Sequence, residues 1–188
     1  MERGLVAPSS CAHSRTGCQL VVLTGGPGAG KTAILEILRR SLCPCVAVLP
    51  EAASILFGGG FWRRTSVPGR KAAQRAIFHV QREQERMIAD EEQAPFALCD
   101  RGTLDGLAYW PEQEASFWSE LSTQREAEYA RYHAVIHLRT PGQGRGYNHE
   151  NPLRIEDADL AHEIDERILR IWAGHPNRHV IESSDDFL

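Results

Sequence analysis

Apolar positions along this chain follow two alternating patterns. Short apolar runs have the length and β-branched content of buried strands: "QLVVLTG" at 19–25, "VAVLP" at 46–50, "FALC" at 96–99 ending on Asp100, "HAVIHL" at 133–138 and "RHVIE" at 178–182. Between them lie longer stretches with apolar residues at helical spacing. Residues 31–42 place Ala33, Ile34, Ile37 and Leu38 on one face, and residues 70–92 repeat with Ala73, Ile77, Val80, Gln84 and Met87. A helical region is expected at 112–132, and another helix at 156–173, stopped by Gly174 and Pro176. The segments 58–69 and 139–152 are broken by glycine and proline and read as loops. Strands alternating with helices predict a parallel sheet covered on both faces, an α/β fold.

Length and composition narrow this picture. A chain of 188 residues suits one domain, expected at 18–188 after a flexible tail at 1–17. A net charge of −4 gives no electrostatic reason to expect nucleic acid or an acidic membrane surface as partner. No run reaches membrane-spanning length and no secretory signal is visible. The five cysteines are odd in number and lack paired metal spacing, so reduced thiols in a cytoplasmic protein are expected, with Cys99 buried in its apolar run. His133 and His137 lie in a strand and read as structural.

The chemistry begins at "GGPGAGKT", which fits GxxxxGK[ST] between a strand and a helix. Backbone N–H groups of Gly25, Gly26, Pro27's neighbours, Gly28, Ala29 and Gly30 would converge on phosphates, with the helix dipole behind them; Pro27 itself shapes the loop. Lys31 should face solvent and reach the β- and γ-phosphates of ATP, and Thr32 should ligate Mg²⁺. Only two of the 21 basic residues are lysine, so a lysine at this position is hard to dismiss as chance. Asp100, closing strand three, is the candidate second Mg²⁺ residue or an orienter of the phosphoryl acceptor; the alternative is a carboxylate capping a turn. Glu51, directly after strand two, should face the same crevice, either accepting the proton of an attacking hydroxyl or complementing the next helix. In "DRGTLDG", Arg101 can reach an anionic or hydroxylated substrate, while Asp105 is a turn residue or a second functional carboxylate.

The ordered set "GGPGAGKT", "PEAA", "QRAIF", "CDRG", "IHLRTP", "NPLRIE" and "HPNRHVIE", over roughly residues 19–183, resembles a small AAA-type P-loop domain. That domain is shared by nicotinamide-ribose kinase domains and the TRP-like channel translocation-defect protein. The resemblance implies a three-layer P-loop NTPase with a parallel five-stranded sheet of nucleoside- and nucleotide-kinase-like order, strand one lying between strands three and four. It implies ATP or GTP binding. No N-K-x-D guanine-reading motif is present, which favours ATP. In such kinases a lid follows strand four, and Arg139, Arg145 and Arg154 are the basic residues available to it here. Arg145 is expected on the nucleotide, and Arg154 to swing toward the γ-phosphate. His175 either shapes the nucleotide site or caps a helix end. The family usually continues into a further helix where this chain reaches Leu188. Two activities fit: a kinase using a nucleoside triphosphate and a small nucleoside- or riboside-like acceptor, or an ATPase or switch working through a protein partner. Phe61 and Trp62, beside arginines in the 58–69 loop, would serve a docking surface or a closing flap.

Overall fold

The computed structural model describes residues 17–41, 46–91, 94–141 and 158–183. All five expected strands form: β1 (Gln19–Thr24), β2 (Val46–Leu49), β3 (Phe96–Asp100), β4 (Tyr132–Leu138) and β5 (Arg178–Ile181). They pair in parallel in the order β2-β3-β1-β4-β5, so β1 lies between β3 and β4 as the resemblance implied. The helices are α1 (Lys31–Ser41), α2 (Ala52–Gly58), α3 (Val67–Asp90), α4 (Glu114–Leu121), α5 (Arg125–Tyr129) and α6 (Ala158–Ile171), with a 3-10 helix at Thr103–Tyr109.

The two-residue period of the strands divides the core. On one face Leu20, Val22, Ala97, Cys99 and Val135 pack under Leu104, Ile88, Ile164, Ile168 and Trp172. On the other, Leu23, Leu98 and Leu138 meet Ala29 and Leu35. In β4 the register against β1 slips by one residue at His133: Leu20 pairs with Tyr132, and Val21 with Ala134. This bulge, rare in parallel pairs, puts Tyr132 on the same side as Val135. The register also sets the site. Asp100 lies beside Leu23, and Leu49 beside Cys99, so Glu51, Asp100 and the loop after β1 all emerge at the carboxyl edge of the sheet.

Four local expectations are corrected. In α1 the buried positions are Lys31 and Leu35, flanked by half-buried Ile34 and Leu38, whereas Ala33 and Ile37 are exposed. The stripe is displaced because the helix begins on a lysine that turns under the preceding loop. In α3 the buried residues are Ala73, Phe78, Gln81, Glu85 and Ile88, one position on from the expected stripe, and Met87 is exposed. Here two polar residues occupy the inward face. Gln81 Nε2 donates to Glu85 Oε1 at 2.8 Å, and Glu85 also receives Arg131 and the Tyr132 hydroxyl, the latter at 2.8 Å. Helix α3 starts earlier than expected because Ser66 caps it, accepting from the Gly69 amide, with Pro68 in the first turn. The 112–132 region is two short helices, because Ser122 takes a left-handed conformation (φ 52°) that ends α4. The 3-10 helix was hidden by Gly102 and Gly106. Gly102 is close-packed, since a Cβ there would lie 2.7 Å from the Trp172 ring.

Tyr132 ties these parts together: its hydroxyl donates to Glu85 and accepts from the Thr103 amide at 2.9 Å. Tyr132→Phe should leave both buried groups short of a partner and destabilise the fold by roughly 1–3 kcal/mol. Urea denaturation measures this, and a variant as stable as wild type would show that the hydroxyl is dispensable.

Candidate functional site

The loop between β1 and α1 is shaped by what packs against its bare backbone. Gly25 has φ 136°, and a Cβ there would sit 2.0 Å from the Leu138 carbonyl oxygen. At Gly26 a Cβ would meet Thr140 Oγ1 at 2.5 Å and Asp165 Cβ at 2.7 Å. The loop is also fastened from α6. The Gly26 N–H donates to Asp165 Oδ1 at 2.8 Å, His137 Nε2 approaches the same oxygen at 2.9 Å, and Thr140 Oγ1 donates to Pro27 O at 3.3 Å. Burial would raise the Asp165 carboxyl, but His137, the Gly26 amide and Arg139 together hold it below the usual range. Beyond the loop, Gly28 and Gly30 also take positive φ, and α1 presents the amides and positive end of its first turn, with Thr32 exposed there.

Lys31 does not face solvent, contrary to expectation. It is 7% exposed, and its Nζ donates to Gly25 O at 2.9 Å and Gly26 O at 2.8 Å. Burial, reinforced by the charge of Arg101, outweighs the nearby carboxylates and lowers its pKa to about 7. Arg101 approaches from the opposite side in a left-handed backbone conformation (φ 73°). Its Nη1 donates to Gly25 O at 3.2 Å and to Asp105 Oδ2 at 3.3 Å, and its Nε to Glu51 Oε1 at 2.6 Å.

The three carboxylates here differ sharply. Asp105, with both readings open in the sequence, is buried and accepts from Thr24 Oγ1 at 2.5 Å and Trp172 Nε1 at 2.7 Å as well as from Arg101. It holds the arginine in place. Glu51 is raised by burial, but the charge of Arg101 and hydrogen bonds from Ser54 and Arg101 outweigh this and lower its pKa to about 2. Asp100 makes no hydrogen bond or ion pair with any described residue, and burial raises its pKa to about 6.

These groups border a cavity of about 720 Å³. Its lining runs from Gly28, Lys31 and Thr32 through Glu51, Asp100 and Arg101 to Phe57, Ile77, Phe78 and Tyr109, with Arg63, Arg64 and Arg70 beyond. Of the aromatic pair in the 58–69 loop, Trp62 is 73% exposed, while the neighbouring arginines line the cavity. Arg145 and Arg154 lie outside the described residues. Arg139 is half-buried and paired with Glu166 and Asp165. His175 is buried, its Nε2 3.0 Å from Tyr132 O and its Nδ1 accepting from the Asn177 amide at 3.2 Å, a structural anchor between α6 and β5.

Asp165 was overlooked in the sequence, although it carried a signal. It falls on the same helix face as Ala161, Ile164, Ile168 and Trp172, all buried, and a carboxylate on an apolar stripe demands a partner.

Residues 20–187 match the model of a family described as an AAA domain. No curated protein matches the chain. Among solved structures, thymidylate kinase from Ehrlichia chaffeensis is similar over 92% of this chain and 90% of its own, with a TM-score of 0.59 and 16% identity. At that identity the likeness concerns the fold alone, which is that of a P-loop kinase.

The state of Lys31 sets a pH dependence. A lowered lysine pKa favours the neutral amine above about pH 7, whereas triphosphate charge beside Nζ favours the ammonium. ATP binding should therefore take up close to one proton at pH 8.5 and far less at pH 6, and affinity should fall as pH rises above 7. Calorimetry in buffers of different ionisation enthalpy reads this directly; equal uptake at both values would contradict it.

Proposed function

The chain belongs to this AAA domain family, and from that premise we propose that it is a small-molecule kinase, moving the γ-phosphoryl of ATP to a nucleoside- or riboside-like hydroxyl. Family and fold support a P-loop nucleotide-binding, kinase-like protein. The observation that carries the finer reading is the cavity itself. It opens onto Lys31 and Thr32, it has the volume of a small-molecule site, and it contains Asp100, a carboxylate that makes no hydrogen bond or ion pair with a described residue. Kinship with nicotinamide-ribose kinase domains in particular is part of this proposal and rests on the ordered motifs.

The roles follow from the geometry. Lys31, freed from the loop carbonyls, would meet the β- and γ-phosphates, and the loop amides from Gly25 to Thr32 would cradle them. Thr32, exposed in the first turn of α1, and Asp100, with unshared oxygens, fit Mg²⁺ and would hold it; the ion would neutralise charge on the phosphates. Arg101 faces the transferred group, and Glu51 and Asp105 act through it as positioning residues. With its pKa near 2 and both oxygens engaged, Glu51 is a poor proton acceptor; Asp100, raised to about 6 by burial, suits that task better only where it does not hold the ion. In the transfer, the acceptor oxygen bonds to Pγ, the bond from Pγ to the β–γ bridging oxygen breaks, the hydroxyl proton is released and the diphosphate leaves. Arg145 and Arg154 remain proposed lid residues, by analogy with arginines that stabilise phosphoryl charge.

A second reading, a nucleotide-dependent switch with a protein partner, is favoured by one observation, the exposure of Trp62 beside Phe61. Use of GTP in place of ATP belongs to the same open choice. Among the described residues no helix is long and apolar enough to cross a membrane; a cytoplasmic location is proposed from the cysteine pattern.

The test is phosphate transfer to nucleosides and vitamin ribosides that stabilise the protein only alongside ATP. Asp100→Asn should lower turnover by about 10²–10⁴-fold and raise the Mg²⁺ concentration required. Glu51→Gln should reduce turnover without changing the Mg²⁺ requirement. Turnover that needs a protein partner and no acceptor would replace the kinase with the switch.

A further inference from the structure

The two ends of the cavity differ in charge. At the phosphate-loop end the positive charge of Arg101 is more than matched by its two carboxylate partners, Glu51 and Asp105. At the other end, Arg64 and Arg70 line the cavity. Arg70 donates from Nη2 to Tyr109 O at 2.8 Å, and the Arg64 guanidinium lies 4.8 Å from the Trp62 ring centroid. No carboxylate among the described residues pairs with either. Both flank the first turn of α3, a 24-residue helix whose positive end adds to the field.

One wall joins the two ends. Gly25 O is 3.2 Å from Arg101 Nη1, the Arg101 guanidinium is 6.0 Å from the Tyr109 ring centroid, and Tyr109 O is 2.8 Å from Arg70. Phe57, Ile77 and Phe78 line the same cavity. A molecule filling this cavity would therefore meet the reacting phosphate, apolar and aromatic surface, and the arginines Arg63, Arg64 and Arg70, the last two without a carboxylate partner among the described residues. Among the described residues Arg70 donates from one nitrogen, which ties its guanidinium to Tyr109 O and leaves further N–H groups for an anion.

We infer that the acceptor carries an anionic group, a carboxylate or a phosphate, at the end remote from its reacting hydroxyl, and that Arg64 and Arg70 recognise it. The inference rests on the kinase reading and deepens it. The anion takes no part in the transfer; it anchors the acceptor so that the hydroxyl faces Asp100 and the γ-phosphate.

The test uses the full chain with Mg²⁺ and three matched probes: uridine, its 5-carboxylic acid and its 3′-monophosphate. Binding is titrated with a non-hydrolysable ATP analogue present, and transfer is assayed separately with ATP. At least one anionic probe should bind about 10- to 100-fold more tightly than uridine, the range expected for charged hydrogen bonds. Arg64→Gln and Arg70→Gln should each reduce that preference while leaving ATP affinity and melting temperature unchanged. The carboxylate and phosphate probes distinguish the two sources of charge. Uridine binding as well as both anions would overturn the inference, as would failure of all three to bind. So would variants that weaken ATP and not the acceptor, which would give the arginines to the nucleotide. Anion binding that depends on the arginines without any transfer would keep the site and remove the kinase reading. Transfer to uridine with no anion preference would do the reverse.

Discussion

The carbonyl of Gly25 accepts from two cations, Lys31 at 2.9 Å and Arg101 at 3.2 Å, and the rest of the site is arranged around that shared oxygen. It is available because Gly25 takes φ 136° against the end of β4, where any side chain would strike the Leu138 carbonyl. Two like charges brought to one acceptor repel, and each is steadied differently. Arg101 has Glu51 and Asp105. Among the described residues Lys31 hydrogen-bonds to backbone carbonyls alone, and burial and Arg101 outweigh the nearby carboxylates and shift its pKa to about 7. Arg101 is thus the member of the pair held by carboxylates, and Lys31 the one proposed to respond in charge and position to a phosphate.

The same division extends to the carboxylates. Glu51 and Asp105 are committed to protein groups, whereas Asp100 is held in place by its strand and bonded to nothing among the described residues. A half-buried carboxylate with no hydrogen-bond donor among the described residues is unfavourable for the charged form. Beside a phosphate loop it is suited to a cation or a proton from an acceptor. On the opposite side of the loop Asp165 does the contrary: it gives its oxygen to the Gly26 amide and to His137 and so sets the loop's height over the sheet. Helix α6 carries Asp165 on one side and Leu160, Ile164 and Arg167 along the cavity, which links the cavity wall to the loop after β1.

What could be read without coordinates was whatever depends on neighbours in the chain. The five apolar runs and the glycine spacing of "GGPGAGKT" are local patterns, and each became the element expected of it. The order of the strands came from resemblance, and it holds. Several of the failures share a cause, which is that burial of polar residues depends on distant partners. Gln81 and Glu85 fell outside the expected stripe of α3 because Arg131 and Tyr132, 46 and 47 positions beyond Glu85, could not be placed beside it. Lys31 looked exposed because nothing in its own helix shows that two loop carbonyls lie within reach. Asp105 stayed undecided for the same reason: Thr24 and Trp172, which claim it, come from opposite ends of the chain.

The central claim is that a phosphate draws Lys31 away from the loop while Arg101 stays in its carboxylate frame. A crystal structure with Mg²⁺ and a non-hydrolysable ATP analogue tests this most directly. The account predicts Lys31 Nζ on the phosphate oxygens, no longer on Gly25 and Gly26, with Arg101 still hydrogen-bonded to Glu51 and Asp105. A lysine that remains on the loop carbonyls, or an Arg101 that abandons Glu51 to follow the nucleotide, would contradict it.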